Sequence, residues 1–568
     1  MFTALPTTSE IFSRQSWPEI EPWYRELAAA PLSPETLQPW LAQWSDLSTL
    51  VDETLVRFEI ATTQNTEDID VAHRKQRFLE DVHIPIQTAD QQLKEQLLAS
   101  NLQPEGFAIP LRNMRAETAL YREANLPLLA EDKILSDAYM ELCGARMVTW
   151  DGQEVPIVAL YPVLEDPNRQ RREDAWRTMA ARQLQDREKI NNIWVKMMQL
   201  RQQIAHNAGF ESYREYRWQQ MLRFDYTPDD CKVFHAAVEQ VIVPAAREIR
   251  EKHRRMLGLD SLRPWDININ PRAGASPRPI SDVPALLLQS LPIFQLIDPQ
   301  LKAYFETMLQ ENLLDLEQRP AKAPGGYELP LEVTRRPFIF GQVNSISDVV
   351  PLIFHELGHA FHVFETIPLR YIHQRSEQAV PLEFAEVAST SMEFIGALYL
   401  RQAGLCTGRE EVLIRAQHLE SVLTIYLPYI VTGDAFQHWI YEHPEEARHP
   451  EKVDEKWAEI TSRYLPDIDW SNLEDSLRSG WHDTLHYFCV PFYFIEYAFA
   501  LVGALQVWRN YLHDPHTALQ QYRHALSLGA TRTLPELYKA AGATFNFTPE
   551  VLQDLTQLLL HTLTQLEP

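Results

Sequence analysis

Cysteine is scarce in this chain. Four occur in 568 residues, Cys143, Cys231, Cys406 and Cys489, far apart and with no C-x-x-C pair. Neither a disulfide framework nor a cysteine zinc site is expected, and a reducing compartment is. Positive charge is also in deficit: 52 Lys and Arg stand against 78 Asp and Glu, giving a formal net charge of −26. Such a field repels polyanions, which argues against nucleic acid and anionic membrane surfaces as partners. The N-terminal stretch MFTALPTTSEIFSRQSWPEIEPWY has no basic start followed by an apolar run, so no secretory signal is expected and the reading is a soluble, cytoplasmic protein. No internal repeat or low-complexity tract stands out. One long apolar run exists, FCVPFYFIEYAFALVGALQVW at 488–508. Glu496 near its centre would cost about 2.5–3.5 kcal/mol in a bilayer, and with Pro491 and Gln506 it reads as buried protein core.

What is present is a globular composition, 45% hydrophobic, ample for a large core. The first 130 or so residues repeat apolar positions at helical spacing, as in LQPWLAQWSDLSTLVDETLVRFEIA, and predict packed helices. ARMVTWDGQEVPIVAL then changes period, and Asp151-Gly152 between two β-prone runs predicts a small hairpin. From Asn168 to about Arg217 the charged helical pattern returns as one or two helices. The proline-rich stretch 258–293 reads as a surface loop. YELPLEVTRRPFIFGQVNSISD is a strand candidate, and Ser347 or Asp348 at its end is placed to cap a following helix.

That next segment, VVPLIFHELGHAFHVFE at 349–365, carries the chemistry. Residues four apart on a helix project from one face, so His355 and His359 can present both imidazoles to one cation. A catalytic zinc takes three protein ligands and leaves a position for water. The third is expected from PLEFAEVASTSMEFIGALYL at 381–400, a second helix that opens at Pro381. Glu386 is the leading candidate, Glu383 the fallback, and Glu393, seven residues after Glu386 on the same face, an acceptor for a ligand histidine. Glu356, beside His355, is placed to act as general base on the attacking water. His362 is assigned a packing or supporting role.

These residues resemble the thimet oligopeptidase and oligoendopeptidase F family of zinc peptidases, on HELGHAFH followed by Glu386 in EFAEVAS. KAPGGYELPL (322–331), RPFIFGQVN (336–344), LHYFCVPFYFIEYAFA (485–500), RFDYTPDDCKVFH (223–235) and LGLDSLRPWD (257–266) are also similar to family segments, and the aromatic segment points to the oligoendopeptidase branch. The resemblance implies a mostly α, large helical zinc-peptidase fold with a small β element beside the active-site helix and a deep substrate channel. It implies one zinc ion per chain on His355, His359 and Glu386, Glu356 as base, and His486, Tyr493 and Tyr497 as groups that bind substrate and stabilise the oxyanion. GGYELPLEVTRRPFIFGQVN would be the edge strand along which peptide is laid. The implied organisation is an N-terminal helical region at 1–130 and a catalytic region at 131–568, and the implied activity is internal cleavage of short unstructured peptides. Two alternatives stay open: a zinc carboxypeptidase or dipeptidase, in which Arg335 or Arg336 would hold a terminal carboxylate, and an inactive peptide-binding protein with a structural metal.

Overall fold

The computed structural model describes residues 3–272, 277–376 and 379–566. The protein is mostly α-helical, with two small sheets among the described residues. It divides into two compact units, each drawn from three stretches of chain: 1–118, 278–411 and 500–545 in the first, 119–277, 412–499 and 546–568 in the second.

In the first unit, helix α1 (Leu37–Gln64) buries Trp40, Leu41, Trp44, Leu47 and Val51 among Phe12, Trp23, Phe78 and Leu93 of neighbouring helices, the apolar stripe that the helical period predicts. Its Glu53 is also buried, which is costly for a carboxylate without donors. Four donors meet it: Val333 N at 2.7 Å, Thr334 N at 3.0 Å, Ser9 Oγ at 2.9 Å and Arg57 Nε at 2.8 Å. Two of these lie in the turn of a hairpin, which α1 thereby holds in place.

The hairpin joins β2 (Tyr327–Leu331) to β3 (Arg336–Phe340), with β1 (Leu314–Asp315) completing a sheet of order β1-β3-β2. β3 is central, antiparallel to β2 in the register Tyr327↔Phe340 to Leu331↔Arg336 and parallel to β1. Phe338, Ile339 and Phe340 are buried in succession, as a strand covered on both faces requires. β2 pairs on one side alone among the described residues, so it is an edge strand.

After β3 the chain tightens before it becomes α-helical. A 3-10 turn at Ile346–Val349 and a π turn at Val350–Phe354 precede α2 (His355–Thr366). Here the expectation of a cap at Ser347 or Asp348 is corrected: Ser345 is the N-cap, and Asp348 is its reciprocal partner, accepting from Ser345 N at 2.9 Å. A carboxylate three residues into a turn closes a capping box and does not start it. Helix α3 (Leu382–Gly396) follows Pro381 and is buried nearly all round. The two helices cross at Gly358, where a Cβ would lie 2.5 Å from Ser389 Cα and 2.6 Å from Ala388 O. Only glycine lets the backbones approach so closely.

In the second unit the predicted hairpin forms from Met147–Trp150 and Gln153–Pro156. Asp151 (φ 50°) and Gly152 (φ 79°) make its turn, the left-handed pair that suits the strand twist. The charged run beyond it is two helices, Arg169–Leu184 and Arg187–Ala208. The surface-loop reading of 258–293 is corrected in two places. Trp265 and Asp266 are buried, Asp266 by ion pairs to Arg169 at 2.7 Å and Arg172 at 2.8 Å, and a helix begins at Val283; residues 273–276 of that stretch lie outside the described residues. The apolar run 488–508 is core, as read. Glu496 is buried with Arg223 Nη2 at 2.6 Å, and no helix among the described residues is long and apolar enough to cross a membrane.

Candidate metal centre

His355 and His359 stand one turn apart on α2 with ring centroids 5.1 Å apart. The crossing at Gly358 brings Glu386 of α3 against them: its Oε2 is 3.4 Å from His355 Nε2 and 3.7 Å from His359 Nε2. One donor atom from each of the three lies within 4.8 Å of the others. Glu383, the fallback, is buried but stands outside this group. Glu393 accepts a hydrogen bond from His355 Nδ1 at 2.7 Å, which leaves Nε2 to face Glu386. Ser389 Oγ donates to Glu386 Oε2 at 3.0 Å. Sequence reasoning passed over Ser389, although its position three residues after Glu386 on one helix is the signal that finds it.

The electrostatics of the cluster suit a cation. Burial alone would lower His355, but the hydrogen bond to Glu393 and the charges of Glu393, Glu386 and Glu356 push it up to about 10. His359 is driven well below its ordinary value by burial and by the neighbouring His355 and His362. Burial raises Glu386, against the opposing pull of His355 and the Ser389 hydroxyl. Without metal His355 keeps its proton beside these carboxyl groups, and a divalent cation would take the place of that positive charge. Two imidazole nitrogens and one carboxylate oxygen are also the donor set of a catalytic zinc, so these residues fit that ion.

Glu356 is buried on α2 beside the ligand pair. Gly326, immediately before β2, stands in ordinary contact range of it, 3.7 Å from a Cβ there to Glu356 Oε1, while the tight approach is to Leu352 Cδ1 at 2.4 Å. A small cavity of ≈ 30 Å³ between β2 and α2 is lined by Glu328, Leu331, His359 and His362 among others. The start of the edge strand thus runs beside both the candidate base and a candidate ligand. His362 packs edge-on against Phe384 at 6.0 Å, with burial lowering it to about 4. Arg335 donates to the carbonyls of Ile367 at 3.0 Å and Leu369 at 3.1 Å, and Arg336 pairs with Glu311 at 2.7 Å.

In the second unit, His486, Tyr493 and Tyr497 form one cluster. Ring centroids are 5.9 Å apart for His486 and Tyr493, 6.3 Å for His486 and Tyr497, and 5.1 Å for the two tyrosines. A short helix, Leu485–Cys489, carries His486, and Tyr497 lies in the first turn of Phe494–His513. Burial lowers His486 to about 4, so its ring is neutral at neutral pH.

The model of peptidase family M3 matches residues 163–275 and 292–556, more than half of the chain and inclusive of the metal cluster. No curated protein matches the chain significantly. Among solved structures the fold is shared with PZ peptidase A bound to an inhibitor, at 23% identity over 98% of each chain and a TM-score of 0.86. A protein assigned as an oligoendopeptidase F from Bacillus anthracis str. Ames shares it at 22% identity over 100% of this chain and 98% of that one, with a TM-score of 0.81. Oligoendopeptidase F from Enterococcus faecium follows at 16% identity over 97% and 98%, with a TM-score of 0.61.

Proposed function

Because the chain belongs to peptidase family M3 and is accordingly a peptide hydrolase, we propose that it is a zinc-dependent endopeptidase acting on internal bonds of short, unstructured peptides. The observation that carries this reading is the cluster of His355, His359 and Glu386 donor atoms within 4.8 Å, with Glu356 on the adjoining face of α2. Bound by these three residues, zinc supplies Lewis acidity, which polarises the scissile carbonyl and makes water a better nucleophile at neutral pH.

The chain's own groups do the rest. Glu356 takes the proton of the attacking water and delivers it to the departing amine. Glu393 fixes the tautomer and tilt of His355, and Ser389 holds Glu386. The free edge of β2 offers backbone donors and acceptors to an extended peptide beside Glu356. A folded domain has no such segment to give, which favours unstructured oligopeptides. His486, Tyr493 and Tyr497 donate to the substrate and the developing oxyanion, a role taken from the family resemblance. Internal cleavage is favoured over terminal trimming because Arg335 and Arg336 are engaged with carbonyls and with Glu311.

An internally quenched peptide blocked at both ends, offered to wild type and Glu356→Gln with zinc measured on the same samples, tests this. Internal cleavage by wild type, lost by roughly 10²-fold or more in the zinc-retaining variant, is expected of a general base. Trimming confined to unblocked peptides would transfer the reading to an exopeptidase. Equal turnover by both proteins would remove Glu356 from the chemistry.

A further inference from the structure

A second group of ligand-type side chains lies in the second unit, remote in sequence from the first. The helix Pro228–Ala237, started by a capping box between Thr227 and Asp230, presents Cys231 and His235 four residues apart. The helix Leu427–Glu442 presents Asp434 and His438 at the same spacing. Each pair shares one face of its helix, and the two faces meet. Donor atoms of Cys231, Asp434 and His438 lie within 4.8 Å of one another, and His235 Nε2 is 2.8 Å from Asp434 Oδ2. Cys231 and Asp434 are 0% exposed, His438 2% and His235 7%.

An ordinary buried hydrogen-bond network would satisfy both oxygens of a carboxylate so deeply placed. Here Asp434 Oδ1 has no hydrogen-bond partner among the described residues, while Oδ2 meets both neighbouring imidazoles, His235 Nε2 at 2.8 Å and His438 Nε2 at 3.3 Å. One thiol, one imidazole and one carboxylate are ligands of the kinds zinc takes; His235 stands outside that group of three but touches Asp434, and a turn of its ring would supply the fourth protein ligand that closes a structural site. A cleft of ≈ 290 Å³ lined by His235, His438, Glu239 and Glu442 gives an ion a way in.

We infer that Cys231, Asp434 and His438, with the adjoining His235 turning in as the fourth ligand, form a second, structural site for a zinc-like divalent transition metal. This goes beyond the single ion implied by the family resemblance, and it reverses the expectation from cysteine spacing that no cysteine zinc site exists. Loading releases the thiol proton of Cys231. Coordination through His438 Nε2 leaves the ring proton on Nδ1, which now faces Arg214 Nη1 at 3.2 Å. That contact must open, and Glu442 Oε1, 2.6 Å from the same guanidinium nitrogen, retains the arginine.

The full chain, stripped by chelator, reloaded with Co²⁺ and freed of loose ions by gel filtration, decides the matter by metal analysis and absorption. The expected result is about two equivalents per chain, with a sulfur-to-cobalt charge-transfer band in the near ultraviolet that Cys231→Ser abolishes. His355, His359 and Glu386 contain no sulfur, so the His355→Ala/His359→Ala double variant should keep the band with about one equivalent. That arm stands even if Cys231→Ser fails to fold. About one equivalent and no sulfur band in folded wild type would overturn the site and leave a hydrogen-bonded cluster. A second equivalent whose spectrum ignores Cys231→Ser would also overturn it.

Discussion

Glu393 Oε1 lies 2.7 Å from His355 Nδ1, so a buried carboxylate on one helix selects which ring nitrogen of a histidine on another faces the candidate metal. Without metal, His355 stays protonated up to about 10.

Metal capture at neutral pH must therefore expel about one proton from His355, and metal affinity rises with pH toward 10 by up to about tenfold per unit. Glu393→Gln removes the charge but keeps an oxygen acceptor. It should weaken zinc binding by about 10–100-fold and reduce the protons released at neutral pH. Calorimetry in buffers of different ionisation enthalpy measures both quantities. Unchanged affinity and proton release would show that Glu393 does not tune the centre.

Gly358→Ala should act in the opposite direction from an ordinary helix Gly→Ala change, which stabilises by about 1 kcal/mol. Its methyl would stand 2.5 Å from Ser389 Cα, and backbone cannot swing aside as a side-chain tip can. Prising α2 from α3 should cost roughly 1–3 kcal/mol and weaken zinc retention, because the ligands stand on both helices. Gly144→Ala, with nothing among the described residues within 4 Å of its Cβ, serves as the control and should be neutral or stabilising. Thermal midpoints and zinc content of the two variants give the comparison, and equal behaviour would contradict the crossing argument.

The ligand trio was legible in the sequence because its information is local. Four-residue spacing on α2, and the face shared by Glu386 and Glu393 on α3, follow from helix geometry alone. What the sequence left hidden depends on close approach between distant segments. Gly358 reads as a neutral helix residue until Ser389 is placed against it, and Gly326 reads as a turn residue until Leu352 is. The start of α2 was misjudged because two non-α turns intervene between Ser345 and His355, and no periodicity announces them. Asp266 sits in a proline-rich stretch that composition assigns to the surface, yet Arg169 and Arg172, far upstream, draw it inside. Cys231 and Asp434 illustrate the same limit: each carries a partner four residues on, but only the tertiary fold sets the two pairs face to face.

Acid stability should register His482. It is 3% exposed, with Nε2 2.8 Å from Asn191 Oδ1, and burial, then the charges of Arg187 and Arg146, push it down to about 3. The unfolded chain takes up this proton near 6.5, the folded protein only near 3, so across that window unfolding binds a proton. The stabilisation is complete above 6.5 and is lost as pH falls toward 3, at up to about 1.4 kcal/mol per pH unit. His482→Gln keeps an amide to meet Asn191 and cannot titrate. The urea midpoint of the variant should depend less on pH between about 4 and 7, and parallel curves for the two proteins would refute the assignment.

Backbone recognition by β2 makes a distinct demand on the substrate. If the peptide pairs with the free edge of Tyr327–Leu331, its own N–H groups must donate at alternate residues, because a β ladder uses every second residue of each strand toward a given neighbour. Methylating one peptide nitrogen at a time removes a donor and adds bulk without changing any side chain. Methylation at alternate positions on one side of the scissile bond should then raise KM by roughly fivefold or more, the equivalent of about 1 kcal/mol per lost hydrogen bond, while the intervening positions tolerate the change. A uniform response along the peptide would instead assign recognition to side-chain pockets, and β2 would be only the support that holds Gly326 beside Glu356.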